Sequence, residues 1–456
     1  MLTQDTSIST VTSLRNKFDG SVVIPGDDGY DAARGSFNLL NDMRPAAVAT
    51  PSTAAEAAAL VVATRDAGLR IAPQGSHHNP APLGDVSDTV FMRLERMTEV
   101  ELDVANGRAR VEAGARWWDL IDQASEAGFA ARHGSSPEIN MVGYSLGGGV
   151  GWIARKHGLQ ANAITAVEII TADGEQRVVD ADSEPELFWA LRGGGGNFGL
   201  VTAIEFELVP LKTVHAGALF FPFERSHEVL TAYREWTAAG VPDEITSVGR
   251  TLHMPDLDVV PEIVRGKSFS IIEAISLADA DETRELLAPL RELGAEMDTF
   301  GDIPPAALQY LHMDPTEPVP YDATHAMLGE FTQRALDEVM DSVGPGSNAP
   351  VFFEVRHLGG ELSRSDASHG ALDTMNGEYM MFGLAPIMAP EMVPAAKAGL
   401  ASIDAAFAPD DSGRYLNFTE VEHDIEDMFP GGTVPRLREV KKSYDPEGLF
   451  RANHAV

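Results

Sequence analysis

The chain has 456 residues, 44% of them hydrophobic, so it can bury a large core and is too long for one ordinary domain. Its 34 Lys and Arg against 69 Asp and Glu give a net charge of −35, a field that repels nucleic-acid phosphates and anionic membrane surfaces. It has no cysteine, which excludes disulfides, thiolate metal sites, cysteine-ligated iron–sulfur clusters and cysteine nucleophiles.

The first twenty residues are polar and lack the apolar core and the paired arginines of a secretion signal. The sequence has no long uncharged apolar run, so no membrane span is predicted. We therefore expect a soluble cytoplasmic protein that binds neither nucleic acid nor membrane. The sequence leaves open whether it is a monomer or a homodimer.

The first half of the chain predicts short helices that alternate with strands. Thr53 and Glu56 form a capping box before a helix that Gly68 can end, and Ser183 and Glu186 form a second box before another helix. Periodicity predicts strands at 70–75, 89–94, 108–115 and 200–211, and one more helix at 117–129. A hairpin with an Asp173-Gly174 turn is predicted at 163–181.

The glycine-rich segments end before Leu211. Strands are predicted at 268–277, 350–360 and 378–387, with helices at 279–293 and 391–407. This pattern is typical of an α+β domain built on an antiparallel sheet, which we place at 213–408. The tail, 409–456, returns to the loop-rich style of residues 1–212.

Glycine and other small residues concentrate in three segments of the first half. They are Gln74-Gly75-Ser76-His77-His78-Asn79, then Gly134-Ser135-Ser136-Pro137 with Gly143-Tyr144-Ser145-Leu146-Gly147-Gly148-Gly149-Val150-Gly151-Trp152, and finally Gly193-Gly194-Gly195-Gly196-Asn197-Phe198-Gly199. Glycine is needed where φ is positive or where the backbone approaches a ligand closely, and successive N–H groups suit a pyrophosphate. Three such segments together are hard to explain as turns alone.

Taken together, these segments resemble the vanillyl-alcohol-oxidase superfamily, in its berberine-bridge-enzyme-like branch. The stretches RPAAVATPSTAAEAAALV, QGSHHN, HGSSPEINMVGYSLGGGVGWIARKHGL, ALRGGGGNFGLVT and YDPEGLFRANH match that family in order and spacing. The resemblance implies an α+β fold with a two-part PCMH-type FAD-binding domain of two α+β subdomains. The tail completes that domain, and the α+β substrate domain is inserted between its parts.

The resemblance also implies how FAD is held. Setting Asn79 on the family asparagine places His78 on the histidine that bonds to the flavin 8α carbon and His77 on a usual glycine, so a shift to His77 stays open. Ser136 stands where many relatives have a second linking cysteine, so we expect a single covalent bond. The further expected flavin contacts are Gln74, Gly75, Ser76, Gly134, Ser135, Gly143, Leu146, Gly147, Gly148, Gly149, Gly151, Trp152, Gly196, Gly199, Val201 and Asn453.

In such flavin chemistry a hydride leaves a substrate carbon for flavin N5, and a base takes the neighbouring O–H or N–H proton. Period two places Glu354 and Arg356 on one strand face, as base and clamp or, alternatively, as a surface ion pair. Tyr415 and Asn417 are expected to share another strand face and to touch flavin or substrate, with a simple buried tyrosine as the alternative. Tyr144 is expected to wall the pocket or to lie in the core, and no metal site is predicted.

The predicted function is an oxidase that passes hydride from an alcohol, amine or sugar-like small molecule to the flavin and then electrons to O2. One alternative is a flavin-N5-oxide oxygenase of polyketide-like substrates, and another is a flavin-binding protein without turnover. An NAD-dependent dehydrogenase is disfavoured, because the G-x-G-x-x-G pattern at Gly194–Gly199 follows a helix and opens a strand.

Overall fold

The computed structural model of the protein describes residues 4–18, 20–254, 256, 262, 265–347 and 351–456. Pro350, where a strand was predicted to open, lies outside the described residues. A four-stranded sheet comes first, with strands in the spatial order Val22–Val23, Ala47–Ala49, Thr89–Arg93 and Arg70–Gln74. The first strand is antiparallel to its neighbour, and the other pairs are parallel.

Helix Ala54–Asp66 links two strands of this sheet. Its start is capped as predicted, because the Thr53 hydroxyl accepts a hydrogen bond from Glu56 N at 3.1 Å. The return bond is shifted by one residue, since the Glu56 carboxylate accepts from Ser52 N at 2.8 Å. Gly68, at φ +70°, follows the end of the helix, also as predicted.

A five-stranded antiparallel sheet packs beside the first one in a shared core. In spatial order its strands are Val100–Asp103, Arg108–Glu112, Leu200–Glu207, Ile164–Ile170 and Gln176–Val179. The other helices of this half are Gln4–Lys17, Tyr30–Ala33, Trp118–Glu126, Met141–Leu146, Ala154–His157 and Pro185–Leu191, with Thr433–Tyr444 from the tail. A small ribbon pairs Phe129–Ala130 with Val209–Pro210.

The second predicted capping box is wrong. The N-cap of helix Pro185–Leu191 is Glu184, at φ +57°, and no side chain caps the helix there. Ser183 instead belongs to the preceding turn, where its N–H donates to Asp180 Oδ1 at 2.7 Å. Glu186 forms an ion pair with Arg436 at 3.0 Å rather than turning back to the helix start.

A nine-stranded antiparallel sheet forms the rest of the molecule. Along its main path the strands are Met297–Asp298, Val214–Pro222, Ser268–Ser276, Ile245–His253, Phe352–His357, Tyr379–Pro386, Tyr321–Leu328 and Asp411–Gly413, and Gly301–Ile303 also pairs with Val214–Pro222. One face packs on helices Ser226–Ala238, Ala280–Arg291, Gln333–Val343 and Val393–Phe407. The predicted α+β class is therefore confirmed, while the boundaries at 212/213 and 408/409 stay predictions.

The strand predicted around Tyr415 and Asn417 is wrong, because Leu416–Phe418 is a 3-10 turn. Tyr415 N donates to the His325 ring at 3.0 Å, and Phe418 N donates back to Tyr415 O. These bonds replace a strand ladder. The two side chains still meet, since Asn417 Nδ2 donates to the Tyr415 hydroxyl at 2.9 Å.

Arg155 connects the first half of the molecule to the nine-stranded sheet. Its side chain is buried, and it donates to Ile245 O at 2.7 Å and to Val241 O at 2.9 Å. A third nitrogen lies 3.2 Å from His357 Nε2. Within the described residues, no helix is both long enough and apolar enough to cross a bilayer.

Candidate active site

A large cavity of about 1140 Å³ lies where the three sheets meet. Met92 of the four-stranded sheet, Val201 of the five-stranded sheet and Glu354 of the nine-stranded sheet all line it. Pockets for one drug-sized ligand have volumes of roughly 300–1,000 Å³. This cavity therefore has room for a dinucleotide and a second, smaller molecule.

Most of the residues predicted to contact the cofactor or the substrate line this cavity. They are Gln74, Gly75, Ser76, His77, His78, Asn79, Gly134, Ser135, Ser136, Gly143, Tyr144, Leu146, Gly147, Gly196, Gly199, Val201, Glu354, Arg356, Asn417 and Asn453. The remaining predicted residues do not line the cavity. They are Gly148, Gly149, Gly151, Trp152 and Tyr415. Tyr415 supports the cavity wall, since its hydroxyl accepts from Gly149 N at 2.8 Å and from Val150 N at 3.1 Å.

The two adjacent histidines have different environments. His77 has φ +61°, a backbone conformation that favours glycine, and its Nδ1 lies 2.8 Å from Gly35 O. Burial lowers the pKa of His77 to about 4. His78 is partly exposed on the cavity wall, and its ring stacks on Phe37 with 3.9 Å between centroids.

Several buried polar atoms at the cavity have no hydrogen-bond partner within the described chain. They are Gln74 Nε2, His77 Nε2, His78 Nε2, Asn79 Oδ1 and both carboxylate oxygens of Glu138. Buried polar groups in native proteins are normally paired, so such a set indicates a polar ligand. At Gly196 an added Cβ would meet no protein atom within 4 Å, which leaves the backbone open to a ligand. The residues present therefore fit a large polar cofactor such as FAD.

Glycines of the first two segments also have a packing role. A Cβ added at Gly147 would collide with the Asn417 side chain, which donates to Tyr144 O at 3.0 Å. At Gly75 it would lie 2.7 Å from the Asn140 side chain. Part of the glycine pattern is therefore explained by close contacts within the chain itself.

A buried network of charged groups borders the cavity on the nine-stranded sheet. Glu354 accepts from Arg356 Nε at 2.7 Å, and its other oxygen lies 2.9 Å from His312 Nε2. The opposite ring nitrogen of His312 lies 2.5 Å from Glu273, which also accepts from Arg250 at 2.9 Å. Glu354 and Arg356 share one face, as predicted, but their ion pair is buried rather than on the surface.

The charges in this network fix one another's protonation states. Burial alone would raise the pKa of Glu354, but Arg356 and His312 outweigh it and hold that pKa well below its usual range. Burial and Arg250 oppose the charged form of His312, yet Glu273, Asp314 and Glu354 together raise its pKa to about 9. At neutral pH the network therefore holds ionised carboxylates around an imidazolium.

The Ser136 hydroxyl donates to Asp314 at 2.5 Å. Ser135 donates to the same oxygen at 2.7 Å. Although burial would raise the pKa of Asp314, His312 and the two hydroxyls hold it below its usual range. The glycine-rich wall is thus connected to the segment that carries His312.

Glu420, from the tail, is a further acidic group on the cavity wall. It accepts from the Tyr321 hydroxyl at 2.8 Å and from Asn38 at 3.3 Å. Burial raises the pKa of Glu420 to about 7 despite these bonds. The pKa of Tyr144, in contrast, is raised by burial far above the neutral range.

Sequence reasoning missed Glu138, His312, Asp314 and Glu420. Glu138 was within reach, because it follows Pro137 inside a segment already recognised as a cofactor wall. No local pattern marks His312, Asp314 or Glu420, which only the fold brings to the cavity.

Two family models match the chain. "FAD binding domain" covers residues 45–180, and "Berberine and berberine like" covers residues 414–456. The (R)-6-hydroxynicotine oxidase of Paenarthrobacter nicotinovorans is 27% identical over 461 residues, with 96% of each chain covered. The chitooligosaccharide oxidase of Gibberella zeae is 25% identical over 460 residues, which cover 92% of this chain and 89% of that protein.

Solved structures have the same fold. Physcomitrella patens BBE-like 1 superposes with a TM-score of 0.82 at 19% identity and 98% coverage of both chains. The 6-hydroxy-D-nicotine oxidase of Arthrobacter nicotinovorans gives a TM-score of 0.79 at 24% identity, covering 95% of this chain and 96% of that one. The chain is therefore an enzyme with an FAD-binding domain and a berberine-like segment, and the proteins it resembles are FAD-linked oxidoreductases.

Proposed function

We propose that the protein is an oxidase of small alcohols or amines that carries FAD on one covalent bond to His78. The proposal depends above all on one observation, a single cavity that joins the glycine-rich walls to the buried Glu354–Arg356–His312 network. FAD bound there would accept a hydride from a substrate carbon and pass two electrons to O2, giving peroxide.

Two features support His78 rather than His77 as the linked residue. His77 adopts the positive φ that suits the family glycine, and its Nδ1 is occupied by Gly35 O. His78 faces the cavity with its ring held parallel to Phe37, at an interplanar angle of 19°. Ser136 is engaged by Asp314 and has no thiol, which supports a single bond.

The charged network is suited to hold the reacting end of a substrate. The Glu354 carboxylate would accept a hydrogen bond from the substrate O–H or N–H, orient it and take its proton. Arg356 fixes that carboxylate through its Nε, and His312 holds the other oxygen. Because these cations keep Glu354 ionised at neutral pH, its carboxylate is available as a hydrogen-bond acceptor, while the same cations lower its basicity.

The wall around this polar end is apolar. Leu252, Met254, Phe352, Phe382, Leu384, Pro386 and Met388 line the cavity. Phe382 lies directly across the sheet from Glu354, and Leu384 lies across from Phe352. These surfaces suit a substrate with a hydrophobic ring or chain better than an oligosaccharide, whose hydroxyls would lack partners there.

A substrate panel tests this function. Purified protein should be yellow, and it should consume O2 and release peroxide with alcohols or amines that carry an aromatic or alkyl body. Glu354→Gln should lower kcat by about 10² to 10⁴-fold, the range expected for loss of a catalytic base, with the flavin still bound. Incorporation of an oxygen atom from O2 into the product would instead favour the oxygenase. Cytoplasmic location and the choice between monomer and homodimer stay predictions.

A further inference from the structure

Glu138, beside the predicted linking histidine, takes no part in the chemistry described above. It is 1% exposed and lines the cavity, and neither of its side-chain oxygens has a hydrogen-bond partner within the described part of the chain. Its Oε1 lies 3.3 Å from His78 Nε2. A buried carboxylate is strongly unfavourable unless a positive charge or a donor meets it. Glu138 is placed to meet a positive charge that arises on the His78 ring.

The loop that carries Glu138 is fixed at both of its ends. Asn140 N donates to Ser76 Oγ at 3.1 Å, which connects this loop to the histidine segment. Trp118 N donates to Pro137 O at 3.0 Å. The His78 ring is held in turn by its stacking on Phe37. The two backbone segments that carry Glu138 and His78 are therefore held next to each other.

We propose that Glu138 is the positioning residue that promotes covalent attachment of FAD to His78, an inference that rests on the proposed function. The carboxylate lies 3.3 Å from Nε2, so its charge favours the tautomer of the neutral imidazole that carries the proton on that nitrogen. The lone pair of His78 Nδ1 is then free to bond to the flavin 8α carbon.

Covalent attachment oxidises the flavin 8α carbon by two electrons. A bond forms between His78 Nδ1 and C8α, and one C–H bond of the 8α methyl group breaks. The electron pair and the proton of that bond pass to the ring system, which is reduced by two electrons, while the imidazole becomes a cation with its proton on Nε2. O2 then takes the two electrons with the ring proton and the Nε2 proton, giving hydrogen peroxide and a neutral linked imidazole.

This sequence places the new positive charge next to Glu138. The imidazolium forms with Nε2 3.3 Å from the carboxylate of Glu138, which is 1% exposed. A fixed opposite charge stabilises such a developing charge strongly, because it needs no rearrangement when the charge appears. Glu138 should therefore act on the rate of attachment much more than on the affinity for free FAD.

The test follows covalent incorporation in protein produced under riboflavin limitation and then given FAD in air. Samples are precipitated with acid and washed, the flavin retained in the pellet is measured, and the linked residue is found by peptide mass mapping. Glu138→Gln should bind FAD about as tightly as the wild type but attach it at least about tenfold more slowly. Glu138→Asp, which restores the charge, should recover part of the rate.

Glu317→Gln is the matched control, because Glu317 also lines the cavity but is exposed to solvent. It should incorporate FAD at the wild-type rate. A wild-type rate in Glu138→Gln overturns the inference. If Glu138→Gln takes up no FAD, Glu138→Asp must attach FAD covalently more slowly than Glu317→Asp does. Equal rates of covalent attachment in these two variants overturn the inference. Wild-type protein without FAD, or with a colourless washed pellet, overturns the proposed function before any Glu138 variant is compared.

Discussion

At the scale of single residues, the two neighbouring histidines can be separated by substitution. His78→Ala should lose covalent flavin and keep noncovalent FAD, because the cavity wall stays in place. His77→Gly should keep the covalent bond, since glycine suits the φ of +61° at this position. Flavin in the acid-washed pellet and peptide mapping give the answer. A covalent adduct that survives in His78→Ala and disappears in His77→Gly would reverse the assignment.

The charged network predicts the pH dependence of the reaction. The pKa of His312 is raised to about 9, so its charge is complete below the pKa of a free histidine and is lost as pH rises through about 9. The pKa of Glu354 is held low, so this carboxylate stays ionised throughout the neutral range. We expect kcat/KM to be flat from about pH 6 to about pH 8 and to fall above about pH 9.

His312→Gln is the control for this profile and should remove the decline at high pH. A rise in kcat/KM centred near pH 7 would contradict the prediction. It would point to Glu420, whose pKa is raised to about 7, as the group that accepts the proton.

At the scale of elements, the two predicted helix caps can be compared by substituting alanine for the proposed capping residue of each helix. Thr53→Ala removes the hydroxyl that accepts from Glu56 N, which should destabilise the start of helix Ala54–Asp66 by about 1 kcal/mol. Amide hydrogen exchange in the first turn should then speed up about fivefold. Ser183→Ala should leave exchange in helix Pro185–Leu191 unchanged, because Ser183 does not cap that helix. Equal effects of the two substitutions would contradict this interpretation.

Local patterns were sufficient where an element is held by its own neighbours in sequence. The capping of Ala54–Asp66 and the hairpin that turns at Gly174 depend on bonds between residues a few positions apart. The segment around Tyr415 looked like a strand, but a distant ring, that of His325, takes its N–H. A competing partner of this kind has no local signal.

The same distinction between local contacts and distant partners applies to the residues of the site. The glycine-rich walls were visible in the sequence because close backbone contacts leave few alternatives to glycine. Only part of the charged network could be predicted from the sequence. Period two placed Glu354 with Arg356, but His312 reaches Glu354 from a separate segment of the chain. Such groups belong to one site only after the chain has folded.

At the scale of the whole molecule, Arg155 ties the two halves together, and its removal should weaken their contact. Arg155→Ala would leave the carbonyls of Val241 and Ile245 without a charged donor, at a cost of about 3 kcal/mol. The midpoint of the first thermal transition should fall clearly, and Arg155→Lys should recover part of it. Wild-type melting of Arg155→Ala would show that the contact contributes little.

The C-terminal segment determines when the cavity is completed during synthesis of the chain. Ala452, Asn453 and His454 line it, and Arg451 N pairs with Ile71 O at 2.7 Å at the edge of the first sheet. A ribosome adds about 5–20 residues each second, from the N-terminus onward, so these residues emerge after every other part of the wall. A nascent chain that still lacks residues 452–454 therefore has an incomplete cavity wall. The cavity can therefore enclose a ligand on all sides only after residues 452–454 have been made and have folded.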